Sequence, residues 1–243
     1  GKRIKQFAVS MHVQSLAISP TGDRLLVAGN ADEGEGQPGL LSLWSFPQGE
    51  LLQTLPSELE TPLSTAFSPD GHWLAVGASG GHLEIWNTTD GALVQRLGPV
   101  EAREDWYGSI VPIDIWDLAF SPDGETLYAL ADSSSQYIPS QVIAWRVADG
   151  QERNRLYARS DEARPAFSPD GSLLVAGGPH DGTIQAWNAA DGSLAFELRG
   201  HSDLVNEAVF SPDGALIATA SDDGSAGIWD VHDRNRLQTL LGH

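Results

Sequence analysis

Gly200-His201, Phe210-Ser211-Pro212-Asp213-Gly214, and Asp223 six residues ahead of Trp229-Asp230 make up the stretch that decides the fold. At its centre is a turn, in which Pro presets φ, Asp bonds the backbone and Gly tolerates positive φ. Ser-Pro-Asp/Thr-Gly recurs at Ser19–Gly22, Ser68–Gly71, Ser121–Gly124 and Ser168–Gly171, with Gly-to-Gly intervals of 49, 53, 47 and 43 residues along the chain. A recurrence of this length marks an internal repeat.

Downstream of every turn stands a tryptophan closing a short β-patterned stretch: Trp44, Trp86, Trp145, Trp187 and Trp229. Five residues after each lies Gly49, Gly91, Gly150, Gly192 or Arg234, and eleven residues after each lies Leu55, Leu97, Leu156, Leu198 or Leu240. Between these anchors each unit holds four short apolar, β-branched or aromatic segments, too short for ordinary helices. In the last unit they are Val205–Phe210 (a), Leu216–Thr219 (b), Ser225–Trp229 (c) and Arg236–Leu240 (d). Four-stranded sheets of this size cannot bury both faces alone, so neighbours must pack face to face about a common axis.

These residues resemble the WD40 family over nearly the whole chain, the last unit being the fullest copy. The resemblance implies an all-β, WD40-type β-propeller in a single domain, 1–243, of five complete four-stranded blades at about 11–55, 62–97, 114–156, 163–198 and 204–240. It also implies that His201, Thr219, Asp223 and Trp229 form a buried hydrogen-bonded tetrad. The other units depart from that pattern: six residues before their tryptophans stand Pro38, Gly80, Pro139 and Asp181, and Gly177 is taken as the counterpart of Thr219. Those blades are expected to rely on apolar packing alone. Arg3–Phe7 has the pattern of an orphan outer strand, and Gly242-His243 repeats Gly200-His201. The expectation is a ring of six or more blades, completed by missing blades or another chain.

Lys+Arg 14 against Asp+Glu 33 gives a net charge of -19, which repels nucleic-acid phosphates and anionic membranes. With no Cys in the sequence, disulfides, thiolate nucleophiles and cysteine metal sites are excluded. No metal site or cofactor is expected. Gly77-Ala78-Ser79-Gly80-Gly81 matches a nucleophile-elbow pattern, but that motif needs a strand-to-helix turn and this stretch falls in a b–c hairpin.

Loop lengths distinguish the two ends of the sheets. The a–b and c–d turns are uniform, whereas the b–c loops are expanded near Ala31–Pro38 and Ser133–Pro139 and an insertion lies near Val100–Ile113. All three emerge at one end, where a rigid scaffold would carry binding residues. Candidate partner-binding residues are therefore Asp105, Trp106, Tyr107, Asp114, Trp116, Tyr137, His180 and Asn206. Trp116 aligns with Gln14, Leu63, Ala163 and Asn206 at the entrance of the innermost strands, where it serves either a channel-mouth contact or the core. The function expected is a non-catalytic scaffold binding a protein or peptide at this end. The alternative is a small-ligand or cation sensor using the channel mouth and the acidic loop of Asp32, Glu33 and Glu35.

Overall fold

In a computed structural model, which describes residues 9–31, 39–104, 107–133, 138, 141–157, 166–177 and 182–241, each of the five turns closes a β-hairpin. The Ser carbonyl accepts from the Gly N–H, and the Ser hydroxyl oxygen accepts from the N–H five residues on, at 2.9 or 3.0 Å in all five. That hydroxyl in turn donates to a carboxylate: Asp70, Asp123, Asp170 or Asp213, and in the first turn Asp23, where Thr21 takes the usual Asp position. The turn thus satisfies its own backbone and fixes the register of the hairpin it closes.

The chain divides into two compact units, residues 1–135 with 144–152 and residues 136–143 with 153–243. The first unit contains sheet I, made of β1 (Met11–Ile18), β2 (Arg24–Ala31), β3 (Leu40–Ser45) and β4 (Leu51–Leu55). It also contains sheet II, made of β5 (Pro62–Phe67), β6 (Trp73–Ala78), β7 (Leu83–Asn87) and β8 (Leu93–Leu97). A two-stranded hairpin follows, β9 (Arg103–Glu104) with β10 (Ile110–Val111). Sheet III comprises β11 (Ile113–Phe120), β12 (Thr126–Ser133), β13 (Gln141–Arg146) and β14 (Glu152–Tyr157), and the division between the units runs through it. The second unit contains sheet IV, β15 (Ala166–Phe167), β16 (Leu173–Gly177), β17 (Thr183–Asn188) and β18 (Leu194–Arg199). Sheet V is β19 (Val205–Phe210), β20 (Leu216–Ser221), β21 (Ser225–Asp230) and β22 (Asn235–Leu241). Each four-stranded sheet keeps chain order, and no α-helix occurs among the described residues. Arg3–Phe7 lies outside the described residues.

The tryptophans of sheets I, II, IV and V occupy equivalent points. Trp44 pairs with Leu25, Trp86 with Leu74, Trp187 with Leu174 and Trp229 with Ile217, each the third residue after its turn glycine. In all four the pairing with the outer strand shifts register just before the tryptophan. Arg234, which replaces the glycine of the other c–d turns, adopts their left-handed backbone, with φ 55° against 67° to 73°.

Sheets pack through aliphatic faces. In the first unit, Leu26, Ala28, Leu41, Leu43 and Leu55 of sheet I meet Leu74, Val76 and Trp86 of sheet II. In the second, Val175, Ile184, Ala186 and Leu198 of sheet IV meet Val205, Ala208, Ile217 and Trp229 of sheet V. Each such leucine, isoleucine or valine stabilises the fold by about 1.5–3 kcal/mol when fully buried. Leu55, Leu97 and Leu198 are all buried, whereas their counterpart in sheet V, Leu240, is 42% exposed.

Candidate functional site

The insertion after sheet II folds on itself: Glu104 pairs with Ile110 and Arg103 with Val111, so β9 and β10 form a two-stranded hairpin. Beside its tip Tyr107 is 74% exposed and Ile110 69%, large apolar surfaces that a monomer gains nothing by displaying. The chain then enters β11, where Asp114 accepts from the Gly80 N–H at 3.0 Å and so ties this entry to the β6–β7 turn of sheet II.

Trp116 follows, 50% exposed. Ile115 pairs with Ala131 and Asp117 with Leu130, which leaves Trp116 as the extra residue of a β-bulge. A bulge re-aims its extra side chain relative to the ladder, and Trp116 is not among the buried core side chains. Gln14, Leu63 and Asn206 are the extra residues of the same bulge in sheets I, II and V. Exposed Asn206 donates from Nδ2 to Asp222 at 2.6 Å. Asp105, Trp106, Tyr137, His180, Ala163 and the acidic loop of Asp32, Glu33 and Glu35 lie outside the described residues.

In sheet V the four residues His201, Thr219, Asp223 and Trp229 come together. The Trp229 indole donates to Thr219 Oγ1 at 2.9 Å, and Thr219 Oγ1 lies 2.8 Å from His201 Nε2. His201 Nδ1 lies 2.8 Å from Asp223 Oδ2. Because the Asp223 carboxylate can only accept, Nδ1–H donates to it, and in the neutral imidazole Nε2 then accepts from the Thr219 hydroxyl. The Ser225 hydroxyl above all, then the Ser202 N–H and His201, hold the Asp223 carboxyl well below the usual carboxylate range against the opposing effect of burial. Gly227 makes room: a Cβ there would stand 2.6 Å from the Trp229 nitrogen. Arg236 closes the outside, donating to the Gly200 carbonyl at 2.8 Å and lying over the Trp229 ring.

Two expectations about the other sheets need correction. Register places Ala176, not Gly177, opposite Gln185 as Thr219 stands opposite Gly227, so the counterpart of Thr219 lies one residue earlier. Nor do the departing sheets rely on apolar packing alone. In sheet I the Trp44 indole donates to Ser42 at 2.8 Å, a hydroxyl supplied by its own strand. In sheet II the carboxylate of Glu84, 1% exposed, accepts from the Ser57 hydroxyl at 2.7 Å and from Arg96 Nε at 3.2 Å. Arg96 also reaches Glu58 at 2.8 Å. A Glu two residues before an invariantly placed Trp was the available signal, since a buried carboxylate requires donors. Trp86 itself gains no acceptor: its Nε1 is buried without a partner, because Val76 stands where Thr219 stands in sheet V.

Ser79, the serine of the nucleophile-like stretch, sits in a short 3-10 turn, and its N–H donates to the Thr61 carbonyl. Among the described residues, three or more metal-ligating side chains do not gather at any point.

Recurring four-stranded sheets, each closed by the same turn, with one tryptophan register shared by sheets I, II, IV and V, define a repeat protein whose units are consistent with propeller blades. The family model described as WD domain, G-beta repeat, matches residues 49–87, 164–188 and 192–230, and the chain carries WD40 repeats in those three regions. The first and last matches begin at a c–d turn and end just after the next tryptophan, so the sequence repeat straddles two sheets by one strand. Periodic tryptophan protein 2 homolog of Schizosaccharomyces pombe is 26% identical over 200 residues, 73% of this chain and 21% of that protein. Small ribosomal subunit protein RACK1 of Caenorhabditis elegans is 32% identical over 118 residues, 49% of this chain and 33% of that protein. A WD repeat-containing protein of Synechocystis is 28% identical over 169 residues, 68% of this chain and 41% of that protein. The chain therefore matches less than half the length of each of these relatives.

Proposed function

We propose that this chain is a non-catalytic interaction module that holds a protein or peptide at the loop-bearing end of sheets II and III. The observation that carries the reading is the run of exposed large side chains in one short stretch, Tyr107, Ile110 and Trp116, raised on a hairpin and a bulge. Tyr and Trp supply contact area while tolerating water in the free state, and they dominate binding energy where they anchor an interface. The charge of the chain favours a neutral or basic partner over nucleic acid or an anionic surface. The test uses a partner identified with the wild-type chain as bait. Tyr107→Ala with Trp116→Ala should weaken its binding at least tenfold, measured by calorimetry, with the circular dichroism spectrum unchanged. Undiminished affinity in the folded double variant would overturn the reading.

A further inference from the structure

Sheets II and V match residue for residue, without insertion or deletion, from Leu55 and Leu198 to Leu97 and Leu240. His201 therefore answers to Glu58, Thr219 to Val76, Asp223 to Gly80, Ser225 to His82 and Gly227 to Glu84. Each polar member of the sheet V network except the tryptophan has been exchanged. Glu58 and Gly80, which answer to His201 and Asp223, line in sheet II an open cavity of about 450 Å³ together with residues that include His82, Glu84 and Arg96. His201 is buried, but its counterpart Glu58 has a side chain 74% exposed and swings outward to Arg96.

The lining has two characters. Leu59, Leu83, Leu97 and Pro99 give apolar walls, while Glu58, Glu60 and the buried Glu84 carry three carboxylates against the single guanidinium of Arg96. Arg96 is shared between Glu84 and Glu58, and Glu60 adds a further negative charge at the rim. An occupant suited to this lining has an apolar stem and a positive head, the combination that lysine and arginine side chains offer. The volume falls in the range of small ligand pockets and exceeds what one such side chain needs.

We propose that this cavity in sheet II receives the cationic side chain of an arginine or lysine on a bound peptide. The methylenes lie along Leu59, Leu83 and Leu97, and the charge faces Glu58 and Glu60. The proposal rests on the peptide-binding reading above and specifies the chemistry of the partner. The cavity and the exposed hairpin belong to the same unit, and the Gly80–Asp114 hydrogen bond joins the turn that lines the cavity to the strand that follows the hairpin.

The probes are capped pentapeptides Ac-Gly-Gly-X-Gly-Gly-NH2 with X as Arg, Lys, Gln or Glu, titrated into the full chain and followed by amide NMR at Gly80, Gly81 and Gly98. Saturable shifts at these amides are expected with X as Arg or Lys, and none with Gln or Glu. The double variant E58Q/E60Q, altered at two exposed positions, should keep the wild-type spectrum elsewhere and bind the basic peptides at least tenfold more weakly. E58K/E60K should turn the preference toward the Glu peptide. Equal shifts with Gln and Arg, no shift with any peptide, or unchanged affinity in E58Q/E60Q would each overturn the proposal. Should it fail while the Tyr107 and Trp116 variants still lose their partner, the peptide-binding reading stands without this cavity.

Discussion

Thr219→Val is the sharpest probe of what the polar network contributes. The hydroxyl it removes takes the Trp229 N–H at 2.9 Å and meets His201 Nε2 at 2.8 Å. Valine fills the same volume, so packing is preserved and two buried polar groups lose their shared partner. Trp229 is 1% exposed and His201 6%, so water cannot substitute without opening the sheet. At about 1–3 kcal/mol for each of the two buried groups left unsatisfied, less up to about 1 kcal/mol for the added methyl, a loss of about 1–6 kcal/mol is expected. Sheet II offers the reciprocal experiment, since Val76→Thr would place an acceptor where the Trp86 indole has none. Burying a hydroxyl in a core costs about 1–3 kcal/mol, and here the new hydrogen bond should bring the net change to within about 1 kcal/mol of zero. Val27→Thr in sheet I is the control and should carry the full cost, because Trp44 already donates to Ser42. Urea unfolding followed by tryptophan fluorescence gives the free energies, and indole N–H exchange locates the affected sheet. The reasoning is refuted if Thr219→Val lies within about 0.5 kcal/mol of wild type, or if Val76→Thr and Val27→Thr cost the same.

Three further outcomes are expected. The Ser68, Ser168, Ser211 and Ser225 hydroxyls, first among several donors, hold the carboxyls of Asp70, Asp170, Asp213 and Asp223 below their ordinary value of 3.8. A carboxyl lowered on folding stabilises above its unfolded pKa and loses that contribution as the pH falls through the folded one. The urea midpoint should therefore drop from about pH 4 downward, and a midpoint constant to pH 2 would contradict this. Glu84→Ala removes the acceptor of Ser57 and Arg96 and should cost about 1–3 kcal/mol by thermal or urea unfolding, whereas a neutral result would show that the buried carboxylate is no asset. Leu198→Ala should cost about 2–5 kcal/mol and Leu240→Ala less than half of that, because the same motif position is buried in sheet IV and 42% exposed in sheet V; equal costs would show that another surface covers Leu240 in solution.

The parts of the fold legible in the sequence were those with local causes. Each turn closes through its own Ser, Asp and Gly, so five copies of one tetrapeptide located five hairpins. In the last unit strand limits lie within two residues of those read from the pattern. Arg234 kept its place as a turn residue because its offset from Trp229 outweighed its chemistry. What could not be read depends on pairing. The bulge at Gln14, Leu63, Trp116 and Asn206 is a count of residues on one strand against the facing strand, which no single strand reveals. The same is true of the counterpart of Thr219, fixed by register in the structure and misplaced by one residue when counted along the chain. Ser57, Glu84 and Arg96 come from a loop and two strands, and their meeting follows from packing rather than from any motif. The hairpin of β9 and β10 was visible as extra length but not as structure, since two-residue strands carry no period.

Repetition makes these departures informative. When each sheet is stabilised mainly by its neighbours, losing one internal network costs a few kcal/mol in that sheet and leaves the others nearly untouched. The fold can therefore carry a complete hydrogen-bonded network in sheet V, a hydroxyl substitute in sheet I and a carboxylate–guanidinium arrangement in sheet II. A network that only holds its sheet together should be filled, as in sheet V, where Gly227 leaves space that the Trp229 indole and the Thr219 hydroxyl occupy. In sheet II the corresponding space remains open, although a larger side chain at Gly80 or His82 would narrow it. The position with φ 71° at Gly80 resists such a side chain, but His82 carries no such restriction and stays at the rim. An open, charged cavity retained beside the exposed hairpin, where closing it would add stability, is better explained by a ligand than by the needs of the sheet.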